Sequence, residues 1–140
     1  MKNPLFASLL LAAVFTLVAN TEAQVIVIAN PSVKTNELSK SDLRDIFSGS
    51  SSSLKDGSHV IPVLLKEGAA EDEFLSAYVG KSDAAFRASW RSLVFSGQAA
   101  MPKSLDSEEA MVEYVAHNVG AIGYIRKEMK HEGIKVLTVK

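Results

Sequence analysis

The sequence contains no cysteine, which removes disulfides, thiolate nucleophiles and thiolate metal sites together and leaves packing to hold the fold. It also lacks an excess of charge of either sign. Fifteen Lys and Arg stand against sixteen Asp and Glu, for a net charge of −1. That balance argues against nucleic acid as a partner, since phosphate backbones select for strongly basic surfaces, and against electrostatic adhesion to a membrane. Long apolar runs are short of what a membrane span needs as well: the longest, over residues 5–19, falls below the ~20 residues of a bilayer crossing. It follows Lys2 and ends in the small-residue site Thr21-Glu22-Ala23, the pattern of a secretory signal peptide cut after Ala23. A retained anchor is the competing reading, but no stop-transfer pattern follows and no cysteine is present to take a lipid. The expected organisation is a signal peptide over residues 1–23 and one α/β domain over residues 24–140, exported to the periplasm and not inserted in the membrane after cleavage. Cleavage removes Lys2 and Glu22 and leaves the net charge unchanged.

What is present reads as alternating strands and helices. VIVIA (residues 25–29) is an unbroken β-branched run stopped by Asn30-Pro31-Ser32, as for a strand buried on both faces. A capping box follows, with Ser39 as N-cap, Asp42 at the third helical position and Leu38 placed to staple against Leu43. Ile46 and Phe47 continue that face, and Gly49 ends the helix. A serine-rich loop leads to a second buried strand over residues 60–65, in which Pro62 is tolerable only where no ladder bond needs its missing N–H. Phe74, Leu75, Tyr78 and Val79 form the stripe of the next helix, closed by Gly80. Ser82 caps another carrying Phe86, Trp90, Leu93 and Val94, closed by Gly97. Asp106 or Ser107 caps a helix with Met111, Val112 and Val115 inward. Strands over residues 121–125 and 134–139 complete a predicted three-layer α/β sandwich with a mostly parallel central sheet.

Candidate sites are few. His59, His117 and His131 share no helical turn, so a metal site is not expected. No G-x-S-x-G elbow, nucleophile or paired acid and base can be assembled, so neither an enzyme nor a cofactor is expected. Phe86, Trp90 and Phe95 could stack a ligand, but their spacing suits a core face better. Gly120 and Gly123 suggest a close backbone approach before Tyr124. The stretch VLLKEGAAEDEF (residues 63–74) runs from a strand through a glycine into a helix start. Such a junction offers free N–H groups to an anion, here those of Gly68, Ala69 and Ala70 with Lys66 as the cation. The alternative is an ordinary helix start. Glu67, Glu71, Asp72 and Glu73 lie within about a turn of it, where each gains roughly 0.3–1 kcal/mol from the dipole and repels an incoming dianion.

Three segments together resemble the phosphate-binding proteins of periplasmic ABC transporters, within the type 2 periplasmic-binding-protein superfamily. They are Leu43…Ile46-Phe47-Ser48-Gly49, Val60-Ile61-Pro62-Val63 and Asn118-Val119-Gly120-Ala121-Ile122-Gly123-Tyr124-Ile125, matching that family's L-x-x-I-F-x-G helix, I-x-P-V strand and P-G-A-I-G-Y turn in order, with Val119 in place of the proline. These motifs belong to one of the family's two lobes. Trp90-Arg91-Ser92-Leu93-Val94-Phe95-Ser96-Gly97 resembles the W-x-x-L-x-F-x-G segment of short, single-lobe members. The resemblance implies a solute-binding protein whose partners are phosphate or another small anion and a membrane transporter or sensor. It carries the family's Ser-Gly-Thr turn onto Gly68-Ala69-Ala70 and its arginine near Lys66. Both hydroxyl donors are thereby lost, and lysine lacks the arginine's planar fork. The expected function is weak or partner-dependent anion binding; the alternative is a protein-interaction or sensor-accessory module that has lost it.

Overall fold

A computed structural model describes residues 24–140; the expected signal peptide lies outside the described residues. The elements are β1 (Val25–Ala29), β2 (Glu37–Leu38), α1 (Lys40–Phe47), β3 (Ile61–Leu65), α2 (Ala69–Phe74), α3 (Asp83–Phe95), β4 (Lys103–Leu105), α4 (Glu108–His117), β5 (Ala121–Arg126) and β6 (Lys135–Val139), with a π-helical segment (Leu75–Val79) continuing α2. The strands form one sheet in the order β2-β6-β1-β5-β3-β4. β1 pairs antiparallel with both β5 and β6, while the β2–β6, β3–β5 and β3–β4 ladders are parallel. Five strands therefore run one way and β1, in the middle, runs the other.

Local chemistry sets the helix ends as the sequence predicts. Ser39, Ser82 and Ser107 each accept a backbone N–H from the first turn of α1, α3 and α4. The π-helical segment is a departure from the expected α-helical stripe: Gly80 N–H bonds to the Leu75 carbonyl at 2.7 Å, five residues back. Leu38, expected only as a staple, is buried in the short parallel strand β2 beside Val139.

Side chains of β5 alternate between two packed faces. On one, a Cβ at Gly123 would lie 2.5 Å from Met111 Sδ, so glycine there lets α4 seat directly on the sheet. On the other, Tyr124 stacks on Phe74 with ring centroids 4.0 Å apart, and Phe47 packs edge-on to Phe74 at 4.7 Å. Trp90 Nε1 donates to the Phe47 carbonyl at 2.9 Å, which ties α3 to α1 on the same face. Helices on both faces make the three layers. The β3–β5 ladder covers Ile61 and Pro62; farther along, Leu65 N–H donates instead to the buried Tyr124 hydroxyl at 3.0 Å. The two strands part there, toward the edge where β3, β4 and β5 end.

Two expectations for α3 need correction. Phe86 and Trp90 are core, but Phe95 is 93 % exposed and Val94 is 42 % exposed. The inward face of α3 closes at Leu93, which still packs against the core, and the last two helical residues, Val94 and Phe95, face solvent.

Candidate functional site

Parallel strands place their C-terminal ends, and the helix starts that follow them, on one edge of a sheet. Here that edge carries Leu65, Leu105 and Arg126 at the ends of β3, β4 and β5, with the starts of α2 and α4 between them. Lys66 N–H donates to the Leu105 carbonyl at 2.9 Å and holds the two loops together. A hollow of about 350 Å³ opens there, lined among others by Gly68, Ala69, Ala70, Ser107, Glu108 and Arg126.

Gly68 is the N-cap of α2 with φ +114°, and no side chain caps the helix. A Cβ at Gly68 would meet nothing within 4 Å, so the backbone angle, not crowding, demands glycine. The first N–H groups of a helix have no partner within it. Three of the four residues singled out from the sequence, Gly68, Ala69 and Ala70, thus share one hollow. The fourth, Lys66, is not in its lining, and its Nζ lies 2.8 Å from Asp106 Oδ1.

Behind the junction lies a cluster the sequence did not disclose. The Glu71 side chain is only 2 % exposed. Arg87 Nη2 lies 2.9 Å from Glu71 Oε1 and also donates to the Leu65 carbonyl at 3.2 Å and the Lys66 carbonyl at 2.7 Å. Its Nε donates to Asp83 Oδ1 at 2.8 Å. Burial, then a hydrogen bond with Asp83, pushes the Glu71 carboxyl up to about 8 against the pull of Arg87. The same hydrogen bond, aided by Arg87, holds Asp83 below its ordinary value. Of the two acids, the more buried Glu71 is the one pushed toward keeping its proton, and Asp83 toward losing it.

Arg126 is the second cation missed. Its guanidinium is fixed by Glu108, at the start of α4, and the bond to that carboxylate keeps it firmly charged. Topology could have found this pair, because a helix crossing from β4 to a parallel β5 must start at the edge where β5 ends. The Arg87 contacts depend on how α2 and α3 pack, which no local spacing encodes.

The two glycine candidates resolve as packing. A Cβ at Gly120, where φ is +77°, would lie 3.0 Å from the His59 carbonyl oxygen, so this glycine serves the close approach of two backbones. A second hollow of about 550 Å³ lies at the opposite ends of β3 and β4, lined by Ile61, Pro62, Trp90, Met101 and Tyr114 among others. Among the described residues no group of three or more His, Asp or Glu is arranged to hold a metal, and no helix is long and apolar enough to cross a membrane.

No protein-family profile and no curated protein matches the chain. Solved structures do. The chain superposes on an ABC-type phosphate transport receptor from Vibrio cholerae with a TM-score of 0.64 at 17 % identity, over 83 % of this chain and 46 % of that one. A structure described as a phosphate ABC transporter substrate-binding protein from Clostridium perfringens, with phosphate bound, gives 0.63 at 17 % identity, over 83 % and 44 %. PstS from Borrelia burgdorferi gives 0.62 at 15 %, over 84 % and 47 %. The chain spans less than half the length of each.

Proposed function

We propose, for a chain whose fold is that of one lobe of these phosphate receptors, that it is an exported solute-binding protein that holds a small oxyanion weakly in the hollow beside Gly68. Residues 1–23 then act as the signal peptide, residues 24–140 as the single domain, and the periplasm is the working compartment. The observation that carries this reading is the glycine-capped, side-chain-free start of α2 facing a hollow at the ends of three parallel strands. Ligands of open α/β sheets gather at such an edge. Gly68, Ala69 and Ala70 offer main-chain N–H groups, and Lys66 offers a charge once it turns from Asp106. An exposed pair of this kind is worth little, so the exchange costs little. The hollow is open, and a tight complex needs a second wall from another chain, such as a transporter or sensor subunit. No step in this function is catalytic.

A second reading has its own observation. Arg126 in the lining of the hollow and Lys66 beside it are already matched by acids, Glu108 and Asp106 respectively, as suits a protein-docking face that has given up its anion. Calorimetric titration of inorganic phosphate into the purified protein at low salt separates the two. Saturable heat that Lys66→Ala weakens several-fold supports anion binding; no heat in the parent overturns it and leaves the docking face.

A further inference from the structure

Glu108 engages Arg126 as a bound ligand would. One carboxylate oxygen accepts the Arg126 backbone N–H at 2.5 Å, and the other accepts its Nε–H at 2.7 Å. A single carboxylate is thus chelated by the main chain and the guanidinium of one residue, the last of β5. The Glu108 side chain is 11 % exposed and the Arg126 side chain 46 % exposed. Nη1 of the guanidinium lies 3.9 Å from Glu128 Oε1, beyond hydrogen-bonding length, and Glu109, which also lines the hollow, acts on it only through charge. Both residues line the hollow that Gly68, Ala69 and Ala70 also line.

This geometry differs from an ordinary surface ion pair in two respects. An exposed Arg–Glu contact usually joins two flexible side chains, whereas here half of the grip is a backbone N–H fixed by the sheet. The Nε edge and that N–H present two parallel donors to two oxygens, the arrangement that recognises carboxylates and phosphates. The Glu108 carboxylate meets both donors from the first turn of α4.

We infer that Arg126, through its Nε–H and its backbone N–H, is an oxyanion-binding site, and that Glu108 is a tethered carboxylate occupying it until a small external oxyanion displaces it. The inference rests on the reading that this hollow receives a small anion, and adds to it the residue that grips the anion and the residue that competes. An internal competitor raises the apparent dissociation constant by the inverse of the fraction of time the site is free. With the bridge closed roughly nine-tenths of the time, removing the competitor tightens binding about tenfold.

The test is calorimetry with inorganic phosphate, and separately with acetate, on the parent, Glu108→Gln and Glu108→Gln/Arg126→Gln proteins at low salt, with circular dichroism confirming the fold of each. The expected result is about tenfold tighter binding of at least one anion by Glu108→Gln, and loss of that gain in the double variant. Which anion gains more tells a carboxylate site from a phosphate site. If the double variant does not fold, Arg126→Lys replaces Arg126→Gln, since lysine keeps the charge and loses the Nε edge. Binding by Glu108→Gln no tighter than the parent's, or a gain that persists without Arg126, overturns the inference. The broader reading is judged apart, by the parent and Lys66→Ala.

Discussion

Arg87 contacts the strand-to-helix junction at Leu65, Lys66 and Glu71, Arg126 lines the hollow in front of it, and each is bound by acids, yet they differ in what else takes their hydrogen bonds. Arg87 gives its Nη2 to two main-chain carbonyls, those of Leu65 and Lys66, as well as to the buried Glu71. Arg126 gives its Nε to one carboxylate at the rim. A guanidinium committed to backbone carbonyls cannot leave without stranding them, so Arg87 belongs to the frame of the junction. A guanidinium whose grip is on a side-chain carboxylate can exchange it for another of the same shape, so Arg126 is available to a ligand. The same pair of residue types is structural in one place and exchangeable in the other.

The contrast is broken most directly by removing the buried member. Arg87→Ala leaves Glu71 and two carbonyls without their partner, and with Arg87 only a quarter exposed the expected loss is about 3 kcal/mol in urea denaturation. A loss no larger than that of an average surface substitution would place Arg87 in the same class as Arg126. A smaller effect sharpens the comparison through pH. Glu71 is raised from an ordinary value of 4.5 to about 8. Between those values the folded chain keeps a proton that the unfolded chain has released, so the parent loses stability as pH rises through this window. Asp83 is held low and contributes an opposite slope confined to more acid pH, below its ordinary 3.8. Glu71→Gln keeps the buried hydrogen bonding without the titration, and its midpoint is expected to gain on the parent's steadily from pH 5 to pH 8. Parallel curves across that range would show that Glu71 is not the proton's holder. The smallest effect belongs to the rim: Arg126→Gln leaves Glu108 its backbone N–H partner and is expected to cost about 1 kcal/mol in urea denaturation at pH 7, well below the loss at Arg87.

The parts of the fold legible in the sequence are those whose cause is local. Ser39, Ser82 and Ser107 announce helix starts because an N-cap acts on residues two or three positions away. The runs at 25–29 and 60–65 announce strands by composition alone, although the second, apart from Val60, is buried only from Val63 on, with Ile61 exposed. β2 and β4 escaped, since strands of two and three residues exist only through partners brought from afar, β6 and β3. The direction of β1 was equally hidden, because an apolar run carries no mark of whether its neighbours run with it or against it. At the candidate site, the strand–glycine–helix pattern marked the helix start capped by Gly68, which the structure places in one hollow with Ala69 and Ala70. That Lys66 would spend its charge on Asp106 could not, nor could the reach of Arg87 across two helices. Phe95 is exposed for a related reason: helical spacing says which residues share a face, but not how far along the helix that face stays covered.

The position of β1 bears on how the chain comes to be folded at all. The first strand is sandwiched between the last two, with Ala29 opposite Ile122 on one side and Lys135 on the other. On a ribosome making roughly 5–20 residues per second, the most apolar segment of the domain waits several seconds for either neighbour. Contacts so distant in sequence also slow the search once the chain is whole. A fragment ending before residue 121 leaves β1 with neither partner, so the sheet forms only once β5 and β6 are present. During that interval VIVIA is a bare strand with two open edges, which makes it the segment that a holding chaperone would need to cover.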